Sequence, residues 1–579
     1  MEYAAVPRCV RFGTFEVDLR TGEVRKAGLK IRLQAQPFQV LARLLEHPGE
    51  MVTREELQKK LWSTDTFVDF DHGVNTAITK IRQALGDSAE NPRFVETVAR
   101  HGYRFIAPVE AVGAVREPPL QIQSIAVLPL ENLSRDPEQE YFADGMTEAL
   151  ITDLGKISAL RVISRTSVMR YKGTKKPLPE IGRELNVDGI IEGSVVRSGD
   201  RIRITANLLH APTDRHLWAE TYERNLRDVL ALQREVAQAI ANEIKIKLTP
   251  QEQARLARAR SVNPEAHEAY LKGRYYWNLR TEEGLKKGIE YFQQAIEKDP
   301  GYALAYAGLA DSYVVLGEWA LMAPWEAFPR AKAAAFKALE MDETLAEAHA
   351  PLGTARANYD WDWVGAEKEF KRAIELNPGY ATAHNFYAQY LSAMGRHKEA
   401  IAEIKRAQEL DPLSLQINAT GGLVFFFARR YDEAIAECRR TLELNAGFYP
   451  AHLYLGLAYE QQKLYAQAIS EYQKAVALEE GNPACSGYLA RAYAAVGRRT
   501  EALKIISQVR ELAKRRYVSP YRIALIYTAL GDADQAFAWL EKAYQERSKL
   551  DSLNVDPRND RLRSDPRFQD LLRRMNFPP

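Results

Sequence analysis

Ala366, Ala400, Ala434, Ala468, Ala502 and Ala536 stand 34 residues apart, in strict phase. Gly395, Gly497 and Gly531 keep the same spacing, with Arg429 and Lys463 in the intervening slots. So do the rings of Phe425, Tyr459, Tyr493 and Tyr527. "DPGY" at Asp299, "NPGY" at Asn377 and "DPLS" at Asp411 recur where helices should end. A long fixed period dictates architecture before any local pattern is read. Each unit is expected to be two antiparallel helices, with small residues where they approach and large rings filling the gap to the next unit. One such pair cannot bury its apolar face alone, so the units must stack into a curved, all-α solenoid. About eight units are expected over residues 266–550. "EWALMAPWEAFP" (318–329) reads as an insertion in the second unit, and residues 551–579, with "DPRFQDLLRRMN", as a C-terminal cap.

This pattern resembles the tetratricopeptide repeat. The resemblance implies a protein or peptide ligand on the concave face of the first helices. It places Asn385, Gln389, Phe426, Glu460 and Arg491 in that partner-binding groove. The plainer alternative for each is a solvated position.

The remainder is too long for one further core, so several domains are expected. Residues 70–87, "FDHGVNTAITKIRQALGD", set Val74, Ile78, Ile81 and Leu85 on one helical stripe. Asn75, Thr76, Thr79, Lys80, Arg82 and Gln83 lie opposite. Before this helix come short alternating strands in "RFGTFEVDLRTGEVRKAGLKIRL" and a helix in "QPFQVLARLLEHPGE" stopped at Pro48-Gly49. A second helix follows in "VTREELQKKLW", where Thr53 and Glu56 have capping-box spacing. After it, "RFVETVARHGYRFIAPV" reads as a hairpin. Sheet, three helices and hairpin make a winged helix-turn-helix.

Residues 8–109 resemble the OmpR/PhoB-type DNA-binding domain. The residues that carry the likeness are "LQAQPFQVLARLLEHPGEMVTREELQKKLW", "VNTAITKIRQALGD" and "VETVARHGYRF". The resemblance implies that the third helix enters the major groove of double-stranded DNA, where base edges are distinguishable. The expected DNA-binding residues are Asn75, Thr76, Thr79, Lys80, Arg82 and Gln83. Arg100 and His101 join them at the wing tip, and Thr53 and Arg54 at a helix N-terminus suited to phosphate. Residues 1–110 hold 16 basic and 15 acidic side chains, so charge alone does not announce a DNA binder. The signs are segregated, however: no acid lies between Asn75 and Arg82, and Asp65, Asp69 and Asp71 gather just before. In the family that acidic loop is associated with the transcription machinery, which makes RNA polymerase an expected contact.

Residues 115–122 read as a linker. Residues 123–250 alternate strand, helix, strand, helix, two strands around "RSGDR" and a long helix, an α/β domain. "AVLPLENLS", "YFADGMTEALITDL" and "LWAETYER" resemble the TolB N-terminal-like, or FlgO-like, domain that often precedes such repeats in bacterial regulators. No phosphate loop or HExxH is found, and His210 and His216, read as loop residues, lack partners at ligand spacing. Lys172, Lys175 and Lys176 read as a solvated loop. Neither metal nor cofactor is expected, nor an enzyme, although this arrangement also accompanies nucleotide cyclases.

The fold class is thus multidomain α+β: winged helix, central α/β domain and all-α solenoid. Three scattered cysteines, no signal-peptide pattern and no long apolar run lead us to expect a cytoplasmic protein without a membrane partner. A DNA-binding module first and a sensor later resembles the order in CadC/ToxR regulators. Those carry a membrane helix between the two, whereas other OmpR/PhoB-type relatives carry a receiver domain, so direct aspartyl phosphorylation is not expected. The expected function is a one-component transcriptional regulator, dimeric on DNA, belonging by association to phosphorelay relatives. The alternative is an interaction scaffold localised to DNA.

Overall fold

The computed structural model describes residues 9–19, 21–26, 29–31, 33–61, 70–99, 101–112, 122–134, 136–244, 246, 248–257, 262–480 and 482–578. The linker read at 115–122 lies almost wholly outside them. The chain divides into two compact units, Met1–Gln121 and Ile122–Pro579.

In the first unit, β1 (Cys9–Phe12), β2 (Phe15–Asp18), β3 (Glu23–Lys26) and β4 (Leu29–Ile31) form an antiparallel meander. Helix α1 (Ala35–Glu46) follows, then β5 (Met51–Thr53), α2 (Arg54–Leu61), α3 (Phe70–Leu85) and the hairpin β6 (Val95–Val98) and β7 (Gly102–Phe105). Two strands escape sequence reading. β5 pairs with β7, making the hairpin a three-stranded wing, and β8 (Glu110–Val112) returns to pair with β1. The stripe on α3 is buried as its spacing predicts: Val74, Ile78, Ile81 and Leu85 are each at most 3% exposed. They pack with Leu41, Leu44 and Leu57 from the other two helices and Phe12, Val95 and Phe105 from the sheets.

The second unit opens with a mixed sheet. β9 (Ser124–Val127) lies between β11 (Arg161–Val162) and β12 (Gly189–Ser198), parallel to both, with the short β10 (Glu131–Asn132) also paired to β12. Antiparallel β13 (Arg201–His210) and β14 (Arg215–Asn225) complete it. Strand β14 corrects the reading of two strands here. Asp214 takes a left-handed φ of 54° in the turn, and His216 pairs with Leu209 rather than lying in a loop. Helices α4 (Glu140–Gly155) and α7 (Val229–Glu243) cover the sheet; α5 (Arg165–Val168), α6 (Leu178–Leu185) and α8 (Pro250–Ala257) are shorter.

Helix pairs then run from α9 (Pro264–Asn278) and α10 (Glu282–Lys298), through α11 (Ala303–Glu318) and α12 (Pro324–Met341), to Ala533–Gln545. The residues read as an insertion are the end of α11, the turn at 319–323 and the start of α12. The 34-residue phase has a backbone cause. Gly395, Arg429, Lys463, Gly497 and Gly531 all turn between paired helices with φ of 61–81°. Glycine adopts this region freely, whereas a side chain there costs roughly 1 kcal/mol. The in-phase alanines Ala366 to Ala536 are all fully buried.

The superhelix closes on itself. Trp325 on α12 meets Tyr517 edge-on at 5.4 Å, and Trp361 stacks on Tyr544 at 4.9 Å. Lys549 pairs with Glu318 at 2.9 Å. Beyond the last repeat, residues 549–578 run back across the join. The Trp363 indole donates to the Met575 carbonyl at 2.9 Å, Phe577 stacks on Trp363, and Arg429 holds Asp560 with two bonds of 2.8 Å.

Candidate nucleic-acid interface

The exposed side of α3 carries Asn75, Thr76, Thr79, Lys80 and Gln83. They differ in how free they are. Both acceptor positions of the Asn75 amide oxygen are taken, by the Tyr103 hydroxyl at 2.6 Å and by Arg54 at 3.1 Å. Arg54 also donates to the Tyr103 hydroxyl at 3.0 Å and lies over its ring. This triangle locks α2, α3 and the wing together. A bidentate contact with adenine needs both the oxygen and the nitrogen of an asparagine amide. Asn75 in this state has only its nitrogen to offer outward. Tyr103 was missed as a site residue; its signal was its place in "GYRF", where the ring faces the helices.

Arg82 also faces inward, donating to the Val95 carbonyl at 2.8 Å and to Thr97 at 2.9 Å. It ties α3 to the wing. Thr79 bonds back to the Asn75 carbonyl at 2.9 Å. Lys80 reaches Gln34 at 2.5 Å but remains exposed, as does Gln83. Thr53 and Glu56 form the reciprocal capping box: each backbone N–H donates to the other's side chain, at 2.8 and 3.2 Å. The Thr53 N–H, and then the Thr53 hydroxyl donating at 3.0 Å, hold the Glu56 carboxyl below its ordinary pKa. His101 is exposed at the wing turn, its carbonyl accepting from the Arg54 N–H. Arg100 lies outside the described residues.

Residues 28–105 match the family described as "Transcriptional regulatory protein, C terminal". The first unit is such a DNA-binding domain. Residues 362–419, 420–483, 461–519 and 521–549 match "Tetratricopeptide repeat" families. Among curated relatives, "Putative adenylate cyclase 3" of Rhizobium meliloti is 43% identical over 197 residues, 34% of either chain. The chain thus spans about a third of that relative's length. "Transcriptional regulator HilA" of Salmonella typhimurium is 22% identical over 397 residues, 68% of either chain. "Cholera toxin transcriptional activator" of Vibrio cholerae is 35% identical over 82 residues, 14% of this chain and 28% of the relative. The chain therefore joins a DNA-binding domain of regulator type to tetratricopeptide repeats, and no helix among the described residues is long and apolar enough to cross a membrane.

The repeat groove is not open as expected. Phe426 is fully buried in a core with Phe425, Phe427 and Leu457, so it cannot meet a partner there. Glu460 and Arg491 form a buried ion pair, with the Tyr472 hydroxyl donating to Glu460 at 3.1 Å. Asn385 is 4% exposed. Gln389 and Arg491 line a lumen of about 190 Å³ that the returning segment also lines, through Lys549, Asp551 and Arg558. Asp556, fully buried, takes bonds from Arg558 and from Tyr521 at 2.9 Å. The protein's own C-terminal segment forms part of the wall of this space.

Proposed function

We propose that this protein is a one-component transcriptional regulator in which the exposed side of α3 docks into the major groove of promoter DNA, while the second unit receives the signal. The exposed row Thr76, Lys80 and Gln83, on a helix braced by the Arg54–Tyr103–Asn75 triangle, carries the reading. Base recognition falls to Gln83 and phosphate contact to Lys80. Asn75, Arg82 and the Thr53 cap act by positioning, and His101 belongs to the wing turn, with Arg100, outside the described residues, proposed as a further DNA contact. Asp65 and Asp69, outside the described residues, and Asp71, in the first turn of α3, are the contact for RNA polymerase, and dimerisation on DNA is part of the proposal. The seat is the cytoplasm, and the role is regulatory rather than enzymatic. A protein partner would meet the outer surface of the repeats, since the C-terminal segment lines and narrows the lumen. The central α/β layer is read as TolB-like on its strand order and motifs.

Gel-shift titration of the full chain on its mapped binding site, across a salt series, tests this. Lys80→Ala should weaken binding and lower the salt slope by about one, the signature of one lost phosphate contact. Gln83→Ala should relax sequence preference with the slope unchanged. Full binding by the Lys80→Ala/Gln83→Ala double variant would overturn the docking surface.

A further inference from the structure

A cavity of about 300 Å³ lies inside the second unit, where the α/β layer meets the first helices of successive repeats. Its walls come from α4 and α7 on one side and from α9, α11 and the turn at 377–380 on the other. Volumes of this size suit a small organic ligand.

Most charges in the wall are already matched. Glu148 accepts from Arg274 at 2.7 Å and Asn278 at 3.1 Å and pairs with Arg165 at 3.3 Å. Arg274 lies 3.6 Å from Asp311, and Lys156 pairs with Asp153 at 2.7 Å. Two guanidiniums stand apart. Arg280 lies over the Trp277 ring at 3.6 Å, with no carboxylate among the described residues within ion-pair distance. Arg234 keeps a buried Nη1 with no hydrogen-bond partner. The indole nitrogen of Trp277 and Nε2 of His267 are also buried and unpartnered. His267 Nδ1 lies 2.8 Å from the Tyr302 hydroxyl, and Nε2 is a donor in the tautomer in which that hydroxyl donates. Among the described lining residues, no buried side-chain oxygen is left without a partner. Apart from the half-buried Glu347 carboxylate, the cavity therefore has donors to spare and no matching excess of acceptors. An unpaired buried donor costs about 1–3 kcal/mol, more when charged, and a ligand oxygen removes that cost.

We propose that this cavity binds a small organic anion, its carboxylate or phosphate oxygens held by Arg280 and Arg234 and its apolar body lying against Tyr270, Leu230 and Trp277. Glu347 stands in the wall with no ion pair within 4 Å among the described residues, so a ligand that also carries an amino group gains a second anchor. Because the walls belong to both the α/β layer and the repeats, the occupant bridges them. The inference rests on the signal-receiving half of the function proposed above and gives that signal a chemical class.

A panel sharing one ring tests it: phenylacetate, phenyl phosphate, phenylalanine, benzyl alcohol and phenethylamine at millimolar concentration. Each is read by thermal shift and calorimetry on the full chain. The anions should raise the melting temperature, phenylalanine should separate a zwitterion site from a plain anion site, and the neutral and cationic probes should do nothing. Arg280→Gln and Arg234→Gln should each weaken anion binding at least about tenfold, the size expected for a lost charged hydrogen bond. Lys286→Gln, an outer-surface control, should leave binding intact. No shift with any anion, an equal shift with benzyl alcohol, or unchanged binding by both arginine variants would overturn the proposal. Promoter binding measured on the same samples separates its failure from failure of the regulator reading.

Discussion

Four backbone N–H groups converge on the carboxylate of Asp87, from neighbouring Ser88 at 3.0 Å and, across the loop, from Arg93 at 2.6 Å, Phe94 at 3.1 Å and Val95 at 2.8 Å. They fasten the loop after α3 to the first wing strand. Burial raises the pKa of this carboxyl, but the N–H groups outweigh it and leave the net shift downward. A carboxyl depressed in the folded state contributes stability in full above its unfolded pKa, about 4, and loses it as pH falls through the lower folded value. Asp87→Ala should therefore cost the first unit about 1–3 kcal/mol at neutral pH. Urea titrations at stepped pH should show that difference shrinking below about pH 4. A constant difference down to pH 2 would mean the loss is packing and not charge.

At the scale of elements, the wing depends on a close approach that no side chain fits. A Cβ on Gly102 would collide with the Val52 carbonyl, across the β5–β7 pairing. Gly102→Ala should push the wing off α2, cost about 1–3 kcal/mol as overpacking does, and weaken DNA binding although Gly102 itself faces the protein. Thermal melting and gel shift on one sample would check both. The α3 stripe was legible because four apolar residues at helical spacing admit one reading. The capping box at Thr53 was legible because both partners lie within one turn. Strands β5 and β8 were not, since three residues show no period and their pairing is decided by residues about 50 and 100 positions away. Arg82 and Asn75 looked like DNA contacts by type and place. The folded wing, which brings Thr97 and Tyr103 against them, engages the Arg82 Nη2 and the Asn75 amide oxygen, which no sequence spacing shows.

For the whole molecule, the returning C-terminal segment is a structural member. Asp556 is fully buried and answered by Arg558 at 2.6 Å, within a core that includes Trp361, Leu553, Phe568 and Met575. Removing one partner of such a pair costs about 3–5 kcal/mol, because the other charge is left without compensation. Asp556→Ala should lower the melting temperature of the second unit and open residues 549–562 to limited proteolysis. An unchanged digestion pattern would show that the segment is held without the pair. The repeat period revealed the helix pairs but not this closure, which depends on the accumulated twist of many units. Open solenoids gain or lose a unit with little penalty because each touches only its neighbours. Here Trp325 must find Tyr517, and Trp361 must find Tyr544, across the seam. Splicing in one more 34-residue module would carry each tryptophan past its mate. The tally of hairpins is thereby pinned, much as the number of staves is pinned in a hooped cask.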